Sequence, residues 1–342
     1  MLNNLPTDIS IMIINLLYLK DINNLKLINK NYKEIIKFYS PNYNVPIKKS
    51  LKLFIEIFPF IKSVSIKKNY NVKDVDFKYL EKIESLDMSC CYQKEITDYA
   101  FKYLLNIKKL NILQSNQNWF EGDHFTDLAF DFLTNIETLY IDDNHVITDS
   151  GLNKLKKIKQ LQLYNCSKIT NNGLSELVNL KELYLYMINI TDDTFEKLNN
   201  IEALFINNCK ITDDTFKYLP NLKKLKLENV KNVTCLNFDK LNIEALYLSD
   251  MNISDKDLIY LKNIKIIYLY YLKIKGDGLK YLTNIEELEI GECNIKDCYL
   301  DHLYSLKKLK KITIFMCDNI SENKIYELSK KLGNKFIYHK YN

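Results

Sequence analysis

Apolar residues recur along most of this chain in one short pattern, in which positions 1, 4 and 6 of a nine-residue run are Leu, Ile, Val or Met and position 9 is often Cys or Asn. The run begins at Ile61, Ile83, Ile107, Ile136, Ile158 and Leu180, and again at Ile201, Leu222, Ile243, Ile264, Ile285 and Leu309. The twelve starts lie 21 to 29 residues apart, the period of a leucine-rich repeat, roughly 20–29 residues. Alternation within each run predicts a short strand. In the unit from Ile201, Leu204 and Ile206 point inward while Ala203, Phe205 and Asn207 point out. Ile211-Thr212-Asp213 follows, then Phe216 and Leu219 at helical spacing, with Thr or Asp placed to cap a helix. The same Thr-Asp pair recurs at Thr97-Asp98, Thr126-Asp127, Thr148-Asp149 and Thr191-Asp192. One strand and one helix cannot bury their apolar faces alone, so neighbouring units must stack. The expected fold is an α/β solenoid over residues 61–342: a leucine-rich-repeat horseshoe of about twelve strand-helix units with a parallel concave sheet.

The ninth position explains the cysteines. It falls on Cys91, Cys166, Cys209, Cys293 and Cys317, and on Asn69 and Asn144 in two other units. Thiols a repeat or more apart are expected to be reduced and buried in the turn after each strand. No C-x-x-C with a matching His or Cys pair occurs, so the pattern gives no metal site.

Residues 1 to about 60 lack the repeat. Leu5-Pro6-Thr7-Asp8 reads as a turn into a helix carrying Ile9, Ile13, Ile14 and Leu17 on one face, and Asp21 caps a second helix with Ile22, Leu25, Ile28 and Tyr32. These residues match the pattern of the F-box without a gap over Leu5, Pro6, Asp8, Ile9, Ile13, Ile14, Leu17, Asp21, Ile22, Leu25, Ile28, Lys30 and Tyr32. Tyr32 replaces the usual Trp, and Asn29 stands where Ser or Cys is common. With Cys-type repeats following, the chain resembles F-box/leucine-rich-repeat proteins, in a Lys-, Asn- and Ile-rich style similar to those of giant DNA viruses and amoebae. The resemblance implies a receptor subunit of a cullin-type ubiquitin ligase with no chemistry of its own. It would dock a Skp-type adaptor through Leu5, Pro6, Ile9, Ile13, Leu17, Ile22 and Leu25. It also implies residues 1–40 as the F-box-like domain, with a cytoplasmic location, or the host cytoplasm or nucleus for a viral protein. Residues 41–60 then form a linker around Pro41 and Pro46 and an N-terminal cap with Leu51, Phe54, Ile55 and Phe58. A stand-alone binding solenoid whose first helices only cap is the other reading.

Outward strand positions, two, four and six after each start, can be written down directly. They include Tyr140, Tyr164, Tyr184, Tyr186, Phe205, Tyr247, Tyr268 and Tyr270, the candidate surface for a target protein. Tyr also fills strands by propensity, and the chain has 25 of them. On the same face Lys224 and Lys226 make a basic step, and Glu287, Glu289 and Glu292 an acidic one. A further expected contact is the insertion Ser115 to His124 with the only Trp, Trp119.

Composition narrows the partners. All 48 basic side chains are lysine, against 43 acidic ones, for a net charge of +5. Without guanidinium groups there is no two-point reading of guanine or phosphate, which argues against nucleic acid. Longer apolar stretches such as Ile11 to Leu19 are broken by Asn15 and too short to span a bilayer, and no secretory leader is evident. No glycine-rich phosphate loop, G-x-S-x-G or H-E-x-x-H occurs, so no enzyme activity and no cofactor is expected. Asp142-Asp143 beside His145 reads as a solvated turn.

Overall fold

A computed structural model describes residues 51–67, 69, 71–90, 95–113, 125–236 and 238–340. The F-box-like stretch, the Trp119 insertion and Cys91 lie outside the described residues. The chain divides into two compact units, Met1–Lys168 and Ile169–Asn342.

In the first unit, helix Leu51–Ile57 is followed by parallel strands β1 (Ser63–Ser65), β2 (Ser85–Asp87), β3 (Lys109–Asn111), β4 (Thr138–Asp142) and β5 (Gln160–Tyr164), each paired with the next. Leu51, Phe54 and Phe58 of the helical segment are buried. In the second unit β6 (Glu182–Tyr186), β7 (Ala203–Asn207), β8 (Lys224–Glu228), β9 (Ala245–Ser249), β10 (Ile266–Tyr270), β11 (Glu287–Gly291), β12 (Lys311–Phe315) and β13 (Phe336–His339) run parallel in the same consecutive order. Every strand from β1 to β12 starts two residues after a repeat start. Strand β13 breaks the pattern: Phe336 pairs with Ile312, which puts Gly333 where the other units have their first apolar residue.

The core is the stack of inward strand positions. Leu183, Leu185, Leu204, Leu227, Leu246, Leu248, Ile267 and Ile290 are fully buried, each contributing roughly 1.5–3 kcal/mol by leaving water. Behind them run rows of phenylalanines, Phe77 against Phe101 at 6.4 Å, Phe101 against Phe125 at 4.9 Å, and, in the second unit, Phe216 against Phe238 at 4.8 Å.

The return segments depart from expectation. Most are 3-10 helices, such as Asp98–Tyr103, Asp213–Tyr218 and Asp255–Leu261, and the α-helical ones, such as Asn171–Ser175, span about one turn. The physical reason lies in the spacing of Phe216 and Leu219, which are three apart: a 3-10 helix of 3.0 residues per turn places both on one buried side. A regular α-helix, Glu322–Leu332, follows β12.

Threonine caps these segments as expected. Oγ1 of Thr97, Thr148, Thr170 and Thr212 accepts from the amide two residues on, at 3.2–3.3 Å. The aspartate that opens each turn does something else. Asp74 accepts from the Thr97 amide and hydroxyl at 2.7 and 2.6 Å, Asp98 from Thr126 at 2.8 and 2.7 Å, and Asp127 from Thr148 at 2.8 and 2.6 Å. In the second unit Asp192 binds Thr212 and Asp213 binds Thr234 in the same way. Each aspartate therefore ties its own turn to the next repeat.

A last constraint falls just after each strand. The residue seven past the repeat start is left-handed in ten units, with φ of 45–58° at Cys90, Asp143, Asn165, Met187, Asn208, Asn229, Asp250, Tyr271, Glu292 and Met316. Asn and Asp tolerate this conformation; Met187, Tyr271 and Met316 hold it at a cost.

Candidate functional site: an aromatic strand face

Pleating fixes what the outward positions present. In the second unit Tyr184 of β6 and Phe205 of β7 are register neighbours, and their rings stack at 4.3 Å and 8°. The Tyr184 hydroxyl donates to Glu182 Oε2 at 2.9 Å, which pins the ring from below. Tyr186 is half-buried, and burial followed by the charge of Glu228 raises its pKa.

A second cluster forms on β8–β11. Lys226 places its Nζ 4.4 Å from the centre of the Tyr247 ring and 3.5 Å from Glu228. Tyr247 packs against Tyr270 at 5.2 Å and Tyr268 at 6.3 Å. Tyr270 then reaches across β11, where its hydroxyl donates to Glu289 and its ring lies over Gly291. A Cβ at Gly291 would stand 2.4 Å from that ring, so glycine is what lets the tyrosine lie flat. Burial and the neighbouring Glu289 push the Tyr270 hydroxyl well above its usual value, and burial raises Tyr247 and Tyr268. These hydroxyls stay protonated donors across the physiological range.

In the first unit Tyr140 of β4 lies under Lys109, whose Nζ is 5.4 Å from the ring centre, and Tyr164 at the end of β5 is exposed at 39%. All eight aromatic residues expected to point outward do so, and the structure groups those of the second unit into the Tyr184–Phe205 pair and the Tyr247–Tyr268–Tyr270 trio. The outward rule fails for small side chains. Ala203, Ser249 and Thr313 occupy outward positions yet are buried, because larger neighbours overhang them; Ala203 sits beside Glu182 and Lys224 in register.

Glu289 and Glu292 are expected on this face as charge, but spacing alone does not reveal that they hold the Tyr270 and Tyr271 hydroxyls, nor that Glu182 holds Tyr184. Gly291 was a usable signal, a glycine inside an otherwise regular strand. The seven adaptor-face residues from Leu5 to Leu25 lie outside the described residues.

The cysteine ladder is structural. Cys166, Cys209, Cys293 and Cys317 are free and buried, and their thiols face backbone carbonyls, as Cys209 does at Asn207 O, 3.4 Å, and Cys293 at Gly291 O, 3.2 Å. Burial pushes Cys166 and Cys293 up to about 12 and Cys209 and Cys317 up to about 11. Asn144 in the same place donates to Phe125 O at 3.0 Å and accepts from the Ile147 amide at 2.7 Å. Among the described residues no group of three His, Cys, Asp or Glu side chains is placed to hold a metal ion. His145 instead contacts Ser167 at 3.0 Å, and Asp143 accepts from Asn165 at 2.8 Å. No helix among the described residues is long and apolar enough to cross a membrane.

Repeat, register and turn together define the fold as a leucine-rich-repeat solenoid. No protein-family model matches the chain, and no curated protein does. Among solved structures it is similar to a chain of the mouse RP105/MD-1 complex, with a TM-score of 0.53 and 18% identity over 87% of this chain and 57% of that one. It is similar also to a chain of the TLR13–ssRNA13 complex, with a TM-score of 0.54 and 18% identity over 83% of this chain and 51% of that one. The chain thus spans little more than half the length of these neighbours, and at this identity the likeness is one of fold.

Proposed function

We propose that this chain is a non-enzymatic substrate-recognition subunit of a cullin-type ubiquitin ligase. Residues 1–40 dock a Skp-type adaptor through Leu5, Pro6, Ile9, Ile13, Leu17, Ile22 and Leu25; residues 41–60 link and cap; and the repeats hold a target protein on the aromatic strand face. The observation that carries this reading is the gap-free F-box match from Leu5 to Tyr32 directly ahead of a leucine-rich-repeat fold. Its recognition half is supported by the half-exposed rings Tyr184, Phe205, Tyr247, Tyr268 and Tyr270, since aromatic residues are enriched at interface cores and tyrosine at hot spots. A polyanion such as the RNA in the TLR13 complex fits this face poorly, because Glu287, Glu289 and Glu292 stand beside the tyrosines.

The test is co-purification of the full chain with a Skp-type adaptor. Co-elution that is lost in the variant Leu5→Asp with Pro6→Ala supports the reading. Failure to co-elute, or co-elution indifferent to those changes, leaves a stand-alone protein-binding module in its place.

A further inference from the structure

Just ahead of the strands of the second unit carboxylates alternate with lysines. The residue after each repeat start alternates as Lys181, Glu202, Lys223, Glu244, Lys265, Glu286 and Lys310. Neighbours in this row approach to 3.4 Å for Lys181–Glu202, 2.8 Å for Lys223–Glu202 and 2.6 Å for Lys310–Glu286. On the aromatic face itself Glu228 is matched by Lys226.

Glu289 of β11 and Glu292 of the turn after it are held by phenols instead, as Glu182 is by Tyr184. Glu289 accepts from the Tyr270 hydroxyl and Glu292 from the Tyr271 hydroxyl; Glu287 has Lys311 of β12 beside it in register, whereas the register neighbour of Glu289 on β12 is Thr313. A phenol fills one lone pair of a carboxylate without cancelling its charge. The face around Tyr268, Tyr270 and Glu289 is therefore aromatic and negative, with Lys311 at its edge beside Glu287, on a chain that is positive overall.

The same face also shows what complements it. Lys226 lies over the Tyr247 ring while contacting Glu228, so a lysine ammonium already sits between a tyrosine face and a carboxylate two strands away. Tyr268 and Tyr270 beside Glu289 offer the same combination, and among the described residues no lysine forms an ion pair with that carboxylate. A cation over an aromatic face gains both quadrupole and charge attraction, and complementary charge selects the partner.

Building on the target-binding reading, we propose that the strand face of β9–β11 docks a lysine- or arginine-bearing segment of the partner protein, its cation seated on Tyr268 and Tyr270 against Glu287 and Glu289. A carboxylate-rich segment is repelled there and held no closer than the Lys224–Lys226 step.

Fluorescence polarisation of the full chain with a labelled peptide alternating lysine and serine, and with its glutamate counterpart, tests this. The lysine peptide binds and the glutamate peptide does not; affinity falls with added salt; and Glu287→Gln with Glu289→Gln, or Tyr268→Ala alone, weakens binding by about tenfold. Glutamine keeps the acceptor for Tyr270, so the carboxylate variant leaves the face folded, which far-ultraviolet circular dichroism checks. Lysine-peptide binding unchanged by the glutamine pair overturns the proposal. An array of peptides of mixed charge separates this from the broader reading. Loss of lysine-poor peptides in Tyr184→Ala with Tyr247→Ala, with lysine-peptide binding unchanged by Tyr268→Ala and by the glutamine pair, overturns the cation proposal and leaves the strand face as the target surface. No sensitivity of any peptide to the tyrosine pair, to Tyr268→Ala or to the glutamine pair removes both. Sedimentation velocity adds one more outcome: self-association abolished by the glutamine pair assigns the face to a second copy and overturns the partner segment.

Discussion

Replacing Asp192 by alanine removes the tie between two neighbouring turns. Its Oδ1 accepts from the Thr212 amide at 2.8 Å and from the Thr215 hydroxyl at 2.5 Å, and its Oδ2 from the Thr212 hydroxyl at 2.7 Å. Thr215 is completely buried, so its hydroxyl has no water to turn to. A buried donor left unsatisfied costs about 1–3 kcal/mol, and the two bonds from half-exposed Thr212 add about 1 kcal/mol together. The expected loss is about 2–4 kcal/mol, which native-state hydrogen exchange reads as at least a thirtyfold fall in protection of the Thr212 amide.

Asparagine is the informative control, because the preceding repeat already uses it. Asn171 accepts from the Thr191 amide at 3.0 Å and the Thr194 hydroxyl at 2.7 Å. Asp192→Asn should cost about 1 kcal/mol or less, since Oδ1 keeps both of its donors and Nδ2 donates to the Thr212 hydroxyl, as Asn171 Nδ2 does to Thr191 Oγ1 at 2.7 Å. The two variants also differ in acid. Burial opposes the Asp192 charge, but hydrogen bonds from Thr215 and Thr212 outweigh it and hold the carboxyl below its usual value. Its contribution is complete above the ordinary value of about 4, and is lost as pH falls through the lower value of the folded chain. Asp192→Asn abolishes that part of the acid sensitivity. Unchanged Thr212 protection in Asp192→Ala, or equal losses in the alanine and asparagine variants, would refute the tie.

Met187, left-handed at φ 56°, should accept asparagine with a gain of about 0.5–1 kcal/mol in urea denaturation, and a loss would show that its side chain packs for more than the backbone costs. Gly291→Ala drives a methyl into the Tyr270 ring; near-ultraviolet circular dichroism should report the lost Tyr247–Tyr270 stack, with a destabilisation of about 1–3 kcal/mol. Native alkylation at pH 8 should label exposed Cys298 and spare Cys166, Cys209, Cys293 and Cys317, whose thiols burial keeps protonated; labelling of Cys293 at the rate of Cys298 would contradict the ladder.

The strands were legible because their chemistry is local. An alternation of inward apolar residues such as Leu204 and Ile206 determines both element and face, and the Cys-or-Asn position follows by counting. What stayed hidden depends on the next repeat. Asp192 reads as a capping residue from its own turn, and only stacking brings Thr212 within its reach. Gly333 conceals β13, since the pairing of Phe336 with Ile312 supplies what the pattern lacks. On the aromatic face the sequence named the rings, but the reach of Tyr270 to Glu289 over Gly291 depends on how three strands lie side by side. That is also why the small outward residues Ala203 and Ser249 are buried.

The central claim, two separable partners on one chain, is tested most directly by mixing the full chain with a Skp-type adaptor and its captured target and measuring which remain bound. Tyr184→Ala with Tyr247→Ala should lose the target and keep the adaptor, while Leu5→Asp with Pro6→Ala should lose the adaptor and keep the target. Retention of the target by the tyrosine variant, or of the adaptor by the Leu5 variant, would contradict the account.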